Sequence, residues 1–424
     1  MLVHRVIEVV APARMGRDFR WLLGSSWITN LGDGLALAAG PLLVASETDE
    51  PALVAAAALL QRLPWLLFGL YAGALADRVD RRLLVVAVNL ARSAVLAVLA
   101  VTIVTGVVDI WLVLGAMFLL GTAEVFADTT TNTLLPMVVD RADLGIGNAR
   151  IMTGMVTLNQ MIGPPLGAML FALGAAIPFV AQATLVAAGA ALVARMATER
   201  PPRPAVRTPA ARLIREGFAW TWGNAAVRTL TVAIVTFNVT FGAAFSVLVL
   251  YATDVLGTDE VGFGLLTSMG AVGGLLGTLS YGWLERRLTL ATMMKIGLVI
   301  ETLTHLALAV NRSFVVALGI LFVFGAHAFV WGTTSRTIRM RAVPTAFLGR
   351  VASVYLVGVF GGLVLGSALG GAIASTWGVP AVYWFAFVGS GLILAMIWRQ
   401  LRHIAHADED AAAAPTNPAS PQVG

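Results

Sequence analysis

Apolar residues run along this chain in long unbroken stretches, separated by short polar ones. Twelve such stretches can be marked, at about 20–45, 52–76, 83–105, 110–129, 149–173, 176–196, 227–250, 261–283, 290–310, 314–334, 351–375 and 380–398. About 20 apolar residues carry a helix across the ~30 Å hydrocarbon core of a bilayer. In lipid the backbone has to satisfy its own hydrogen bonds within the segment, which favours helices. The stretches are continuous rather than alternating every second residue, which excludes a membrane barrel. The pattern predicts an all-α membrane protein of twelve transmembrane helices.

Charge sharpens this picture. Charged residues make up 12% of the 424 residues and hydrophobic ones 58%, against about 25% charged in a soluble domain. The mean hydropathy is +0.85. If the segments alternate across the membrane with the N-terminus inside, the inner segments hold 24 of the 28 basic residues. The outer loops hold one, Arg312, and Arg62, Arg92 and Lys295 fall within spans. A missed or invented span would scramble this asymmetry, so it predicts both termini on the cytoplasmic side of the cell membrane. It also accounts for the sequence pI near 10.2 by topology, without nucleic acid.

Composition removes several chemistries. There are no cysteines, and Lys295 is the one lysine, so no Gly-Lys-Ser/Thr phosphate loop exists. No Ser–His–acid arrangement, metal spacing or cofactor loop is visible, so neither an enzyme nor a metal or cofactor site is expected. No cleavable signal peptide is expected in Met1–Ala13, and Met15, just before span one, is an alternative start. From Ala407 onward the acidic, then Ala- and Pro-rich tail is expected to be disordered.

The chain also repeats itself. Asn30-x3-Gly34 in span one matches Asn238-x3-Gly242 in span seven at an offset of 208, and Asp77-Arg78 matches Glu285-Arg286 at the same offset. Thr129–Thr133 matches Thr333–Thr337 at 204. Six-helix halves are expected over 19–197 and 227–401, with a cytoplasmic tail over 1–18, a linker over 198–226 and a tail over 402–424. Such parallel duplicated halves are a transporter design, with substrate held between them near mid-membrane.

One motif carries a family resemblance. Gly73-x3-Asp77-Arg78-x2-Arg81-Arg82, in the loop after span two, resembles the loop signature of the major facilitator superfamily, except that Asp80 stands where glycine is common. A plain positive loop is the alternative. The resemblance implies a conformational latch at Gly73, Asp77, Arg78, Arg81 and Arg82, two six-helix halves related by pseudo-two-fold symmetry, and a seam between them formed by spans two, five, eight and eleven. Asn159-x3-Gly163-Pro164-Pro165-Leu166-Gly167-Ala168 in span five is similar to the antiporter signature of that superfamily, with both flanking glycines replaced. Its prolines should kink the helix, and its small residues should admit a close neighbour. Span eleven carries Gly358, Gly362, Gly366 and Gly370, one every four residues. With Gly163, Pro164, Pro165 and Gly167, these are expected to serve packing between the halves. Asn30–Gly34 and Arg62-Leu63-Pro64 resemble the drug and siderophore exporter branch, including enterobactin exporters and macrolide efflux proteins.

Ionisable groups inside the membrane are expensive and therefore functional candidates. Asp33 and Arg62 lie at similar depths, about 20 Å and 22 Å from the inner ends of their spans at 1.5 Å per residue, which predicts an Asp33–Arg62 pair. Glu124 and Asp128 sit one turn apart in span four, where two carboxylates can share a proton. Arg92 is expected opposite Glu124, and Glu301 and His305 are expected to form a structural pair. Asn30, Asn238 and His327 complete the proposed cavity, with packing the alternative for His327.

The resulting expectation is a monomeric secondary transporter. It exports hydrophobic or amphipathic small molecules (drug, antibiotic or siderophore) in exchange for protons. The sparse polar positions suit such cargo better than a sugar or a phosphate. Uptake or lipid flipping by the same fold is the alternative, and a non-transporting sensor or scaffold the remote one.

Overall fold

The computed structural model describes residues 12–76, 78–197, 210–344 and 347–401. Among them there is no strand. The helices are α1 (Gly16–Glu47), α2 (Pro51–Ala76), α3 (Arg81–Val104), α4 (Ile110–Val138), α5 (Leu144–Leu173), α6 (Ile177–Val193), α7 (Ala210–Gly223), α8 (Ala225–Ser246), α9 (Glu260–Arg287), α10 (Leu290–Val310), α11 (Phe314–Ala342), α12 (Leu348–Trp377) and α13 (Val379–Ile397). Eleven are long and apolar enough to cross a membrane, and the 17-residue apolar α6 is at the short end of what can span. Spans one to six are thus α1–α6 and spans seven to twelve are α8–α13. The remaining helix, α7, lies in the linker.

Side chains at the helix starts stop the chain from fraying. Asp109, Asn224, Asp259 and Thr289 each accept the amide three residues on, at the starts of α4, α8, α9 and α10. Such a cap satisfies an amide that has no partner within the helix. Asp80, the residue that departs from the loop signature, does the same for α3, accepting from Leu83 N at 3.1 Å.

Missing side chains set the helix spacing. A Cβ on Gly34 would come within 2.6 Å of the Asn159 carbonyl oxygen, so α1 and α5 meet backbone to backbone. Gly242 stands in the same relation to the Leu363 carbonyl of α12, at 2.7 Å. Asn30 Nδ2 donates to the Ser26 carbonyl at 2.8 Å, and Asn238 Nδ2 to the Ile234 carbonyl at 2.7 Å. The two repeat copies therefore share a side-chain hydrogen bond and a helix crossing.

The bend expected in α5 takes a specific form. Met155–Ile162 winds as a π-helix, and Gly163–Leu173 resumes as α-helix with prolines in its first turn. There the missing proline N–H groups cost less than in a helix interior. Gly163 packs on Gly34 and Gly167 on Leu35, both within the N-terminal half.

The span-eleven stripe corrects one expectation. Gly358, Gly362, Gly366 and Gly370 face Val235, Asn238, Val239 and Ala243 of α8, in the same half, not the other half. A four-residue spacing fixes one helix face, and that face is taken by the nearest partner. The crossing between halves falls to the next residue, Gly371, where a Cβ would lie 2.9 Å from Ala55 Cβ of α2. Likewise Gly273 and Gly277 of α9 face α11, whereas Gly264 of α9 meets Pro164, Pro165 and Ala168 of α5.

The halves touch along α2–α12 and α5–α9, the seam that the resemblance implied. Both seams are tight at the end of the bundle away from the arginine-bearing loops. There Ala52 N donates to Ser375 Oγ at 3.1 Å, and Ser375 Oγ donates to Glu50 Oε1 at 2.6 Å. One half thereby caps the first turn of a helix in the other. At mid-seam Trp65 and Phe360 stack with centroids 5.2 Å apart. Toward the arginine-bearing end, Leu67, Tyr71 and Leu75 of α2 and Leu356 and Val357 of α12 are exposed. The polar bonds that cross this seam among the described residues lie at the end away from the arginine-bearing loops.

Two substitutions test this packing. Gly34→Ala and Gly242→Ala should each cost about 1–3 kcal/mol by overpacking, read as lower unfolding temperatures of the purified protein. Gly115→Ala, with nothing within 4 Å of its new methyl, should cost nothing. Ser375→Ala should open the tight end. In an Ala55→Cys background of this cysteine-free chain, a membrane-impermeant maleimide added from the Glu50 side should react several-fold faster, given about 1 kcal/mol per lost hydrogen bond. Unchanged labelling would show that the cap does not hold the seam.

Candidate functional site

Most of the charged residues within the spans gather in the N-terminal half, while Lys295 and Glu301 lie in α10 of the other half. Asp33 of α1 receives an ion pair from Arg92 Nη2 of α3. Gln182 Nε2 of α6 donates to the same carboxylate oxygen at 3.2 Å. Arg92 Nη1 in turn donates to Asn89 Oδ1 at 3.3 Å. The guanidinium is almost fully buried and the carboxylate mostly so, with side-chain exposures of 4% and 19%. Buried charges are tolerated only when paired and hydrogen-bonded, and this pair meets that condition from three helices.

The expected Asp33–Arg62 pair is therefore replaced by Asp33–Arg92. Depth along a helix sets the level of a side chain, but its direction around the helix selects the neighbour. Gly32, beside Asp33, packs against Gln182 and Leu185, which marks this face of α1 as the one toward α6. On α2, Gln61 and Pro64 face Gly121 of α4. Arg62 is exposed beside them, within electrostatic reach of Glu124.

Glu124 and Asp128 extend the cluster along α4. Glu124 is half-buried and Asp128 exposed. Glu124 lies within electrostatic reach of Asp33, Arg92 and Arg62, and Asp128 of Glu124, Asp33 and Arg92. The expected Arg92–Glu124 relation is thus one of field rather than contact, because Asp33 occupies the guanidinium. Three carboxylates and two guanidiniums share this region, one negative charge in excess when all are ionised.

Other candidates lie elsewhere. Asn30 and Asn238 each bond within their own helix. His327 is buried against Phe324, edge to face at 5.2 Å, with Gly297 of α10 beside its Nδ1. It belongs to the α10–α11 packing and not to the charged cluster. His305 is also buried. Neither imidazole nitrogen of His305 has a hydrogen-bond partner among the described residues, so the expected Glu301–His305 pair is not formed. An apolar groove of about 580 Å³ between α10 and α11, lined by Ile300, Leu303, Ile320 and Val323 among others, stands apart from the cluster.

The loop after α2 binds the N-terminal half to itself. Arg81 Nε donates to the Ala76 carbonyl at 3.2 Å, and its Nη1 reaches the Thr133 carbonyl at 3.5 Å, near the end of α4. Arg82 Nη1 donates to the Met196 carbonyl beyond α6. Arg78 is exposed, Gly73 lies 3.9 Å from the Thr129 methyl by its missing Cβ, and Asp77 lies outside the described residues. In the second half, Glu285 pairs with Arg341 at 3.4 Å, again joining the loop to the next-but-one helix.

Two members of the site escaped the sequence reading. Gln182 is a lone amide in the apolar α6, and Asn89 stands one turn before Arg92. Both were visible as polar positions in apolar runs, the signal that singled out Asp33.

Comparison with known proteins places this geometry. The family model described as "Transmembrane secretion effector" matches residues 8–423. The chain is 26% identical over 381 residues to the multidrug efflux pump Tap of Mycolicibacterium fortuitum, covering 85% of this chain and 90% of that protein. It is 33% identical over 150 residues to an uncharacterised MFS-type transporter of Mycobacterium tuberculosis, a match spanning 34% of that protein, about a third of its length. Among solved structures, an inward-facing, unoccupied bacterial homologue of the human lysosomal transporter Spinster aligns with a TM-score of 0.70 at 13% identity, covering 95% of this chain and 98% of that one. An inward-facing bacterial homologue of the iron transporter ferroportin aligns at 0.68 and 17%, covering 91% and 98%. At such identities these two show the fold alone. A twelve-helix bundle with a seam between halves and a cluster of ionisable groups within one of them is the framework of a transporter and not of an enzyme, and the chain belongs to the transmembrane secretion effector family of the major facilitator superfamily.

Proposed function

We propose that this transporter exports hydrophobic or amphipathic small molecules across the cytoplasmic membrane by alternating access, driven by proton entry. The arginine-bearing end then faces the cytoplasm with both termini, the halves are 19–197 and 227–401, and the working unit is a monomer. The observation that carries the reading is the cluster of Asp33, Arg92, Glu124, Asp128 and Arg62, with its single excess negative charge. One proton brings the cluster to neutrality. Charge compensation matters most where the surroundings are poor in water.

The geometry supports a partner exchange. With Asp33 ionised, Arg92 is held between α1 and α3. A proton on Asp33 removes the attraction and leaves Arg92 under the field of Glu124 and Asp128. The resulting change in force between α1, α3 and α4 is the differential interaction that a ligand-driven equilibrium needs. The similarity to an efflux pump favours export. The aromatic and aliphatic seam around Trp65, Tyr71 and Phe360 favours apolar cargo. Arg81 and Arg82 then act in the latch of the loop after α2, tying α4 and α6 to the moving end of α2.

Charge substitutions decide the matter. In inverted vesicles under an imposed proton gradient, amphipathic drugs and a catecholate siderophore should release protons through the wild-type protein. Asp33→Asn should abolish that release while the protein remains folded; full release in this variant would remove Asp33 from coupling. Arg92→Gln strands a buried carboxylate and should cost about 3–5 kcal/mol of stability. Adding Asp33→Asn to it should recover much of the stability and none of the proton release. Equal stability of the single and double variants would show that the pair is not coupled in the fold.

A further inference from the structure

Helix α7 has two different faces. On one, Gly217 lies so close to α12 that a Cβ would sit 2.5 Å from the Arg350 carbonyl oxygen. Trp220 stacks on Phe347 with centroids 6.1 Å apart, and Thr221 is fully buried. Glu216 takes one hydrogen bond from Arg212 Nε at 2.8 Å and an ion pair from Arg350 Nη1 at 3.0 Å. The Arg212 bond holds this carboxyl below its ordinary range, which keeps the link ionised at neutral pH. This face is committed to the start of α12.

The other face is an exposed stripe of Arg212, Arg215, Phe218 and Trp222. The spacings of three, three and four residues keep these on one side of a helix. Phe218 and Trp222 are about half exposed and stack on each other at 4.9 Å. Trp222 stands three residues before α8 enters the bundle. At the same end of other spans a ring sits under a cation. Arg195 lies over Trp21, Arg287 over Trp283 and Lys295 over Trp398, at 4.8–5.2 Å. That is the pattern of a membrane–water boundary. Arg212 and Arg215 lie seven to ten residues up the helix from Trp222, about 10–15 Å at 1.5 Å per residue. Gly217 lies level with Arg350 and Trp220 with Phe347, so the stripe runs beside the start of α12 with its rings and guanidiniums on one exposed face. Arg212 uses only its Nε edge for Glu216, and a guanidinium fork matches phosphate geometry.

We propose that this stripe is a binding surface for anionic phospholipid, with Arg212 and Arg215 holding the phosphate headgroup and Phe218 and Trp222 lying along an acyl chain. The proposal needs only the fold and the membrane, so it stands or falls apart from proton-coupled export.

Native mass spectrometry of the full chain, offered phosphatidylglycerol or phosphatidylcholine, tests the headgroup. The wild type should retain phosphatidylglycerol preferentially. Arg212→Gln/Arg215→Gln should reduce that retention on the order of tenfold, following the ordinary worth of two interfacial arginines. Arg14→Gln/Arg399→Gln, which removes as much charge from the same end of the bundle, should leave it unchanged. Equal loss in both double variants, or no preference in the wild type, would overturn the site. Brominated-chain phosphatidylglycerol should quench the wild type more than Trp222→Phe; equal quenching would remove the acyl contact. Displacement of the lipid by soluble glycerol phosphate at equal concentration would reassign the stripe to free phosphate and overturn the lipid proposal.

Discussion

Helices surrounded by lipid gain little by hiding apolar side chains from one another, since lipid tails are as apolar as leucine. Close packing has to supply what the hydrophobic effect supplies in water. In this protein that constraint is met by leaving side chains out. Gly34 against α5 and Gly242 against α12 bring backbone to backbone in the two halves. Gly264 and Gly371 do the same between them. The first pair of contacts makes each half a body, and the second makes their junction a sliding surface of small residues. Motion between halves is cheap where, among the described residues, only the polar bonds of Ser375 cross it.

The two halves have kept the scaffold and divided the chemistry. The asparagine and glycine of α1 reappear in α8 with the same bond and the same crossing. The charged cluster does not reappear. Where the first half has Asp33, Arg92 and Glu124, the second has buried histidines and stacked phenylalanines, Phe241 and Phe324 lying 5.6 Å apart. One half thus holds a cluster of charge, and the other a stack of rings.

Much of this was readable from the chain. Long apolar runs and the placement of arginines yield the spans, because bilayer thickness and leaflet potential act on length and charge alone. The duplication was legible in Asn30–Gly34 and Asn238–Gly242, because the two residues do one job together. Partners were less legible. Asp33 and Arg62 share a depth, yet Asp33 turns toward α3 and α6, and a linear reading carries depth but not direction around the axis. The stripe from Gly358 to Gly370 announced a close crossing without naming the helix crossed. Glu301 and His305 stand one turn apart on one helix, and proximity along a helix proved no guide to pairing. Asp77 lies in the part of the loop signature outside the described residues, while its unconventional neighbour Asp80 has a plain role as a cap.

The π-helical stretch of α5 bears on how the copies diverged. Within it, Gly34 meets the Asn159 and Leu158 carbonyls where Gly242 meets the Leu363 carbonyl; after it, Gly167 meets Leu35 where Gly370 meets Ala243. From the nearer contact, Asn159, to Gly167 is eight residues, and from Leu363 to Gly370 is seven. The first copy thus uses one residue more than the second over the same stretch. A π turn closes its hydrogen bond one residue later than an α turn, so it stores surplus residues without displacing either end. The wide turn accommodates the extra residue, leaving the glycine contacts beyond it in register with those of the second copy.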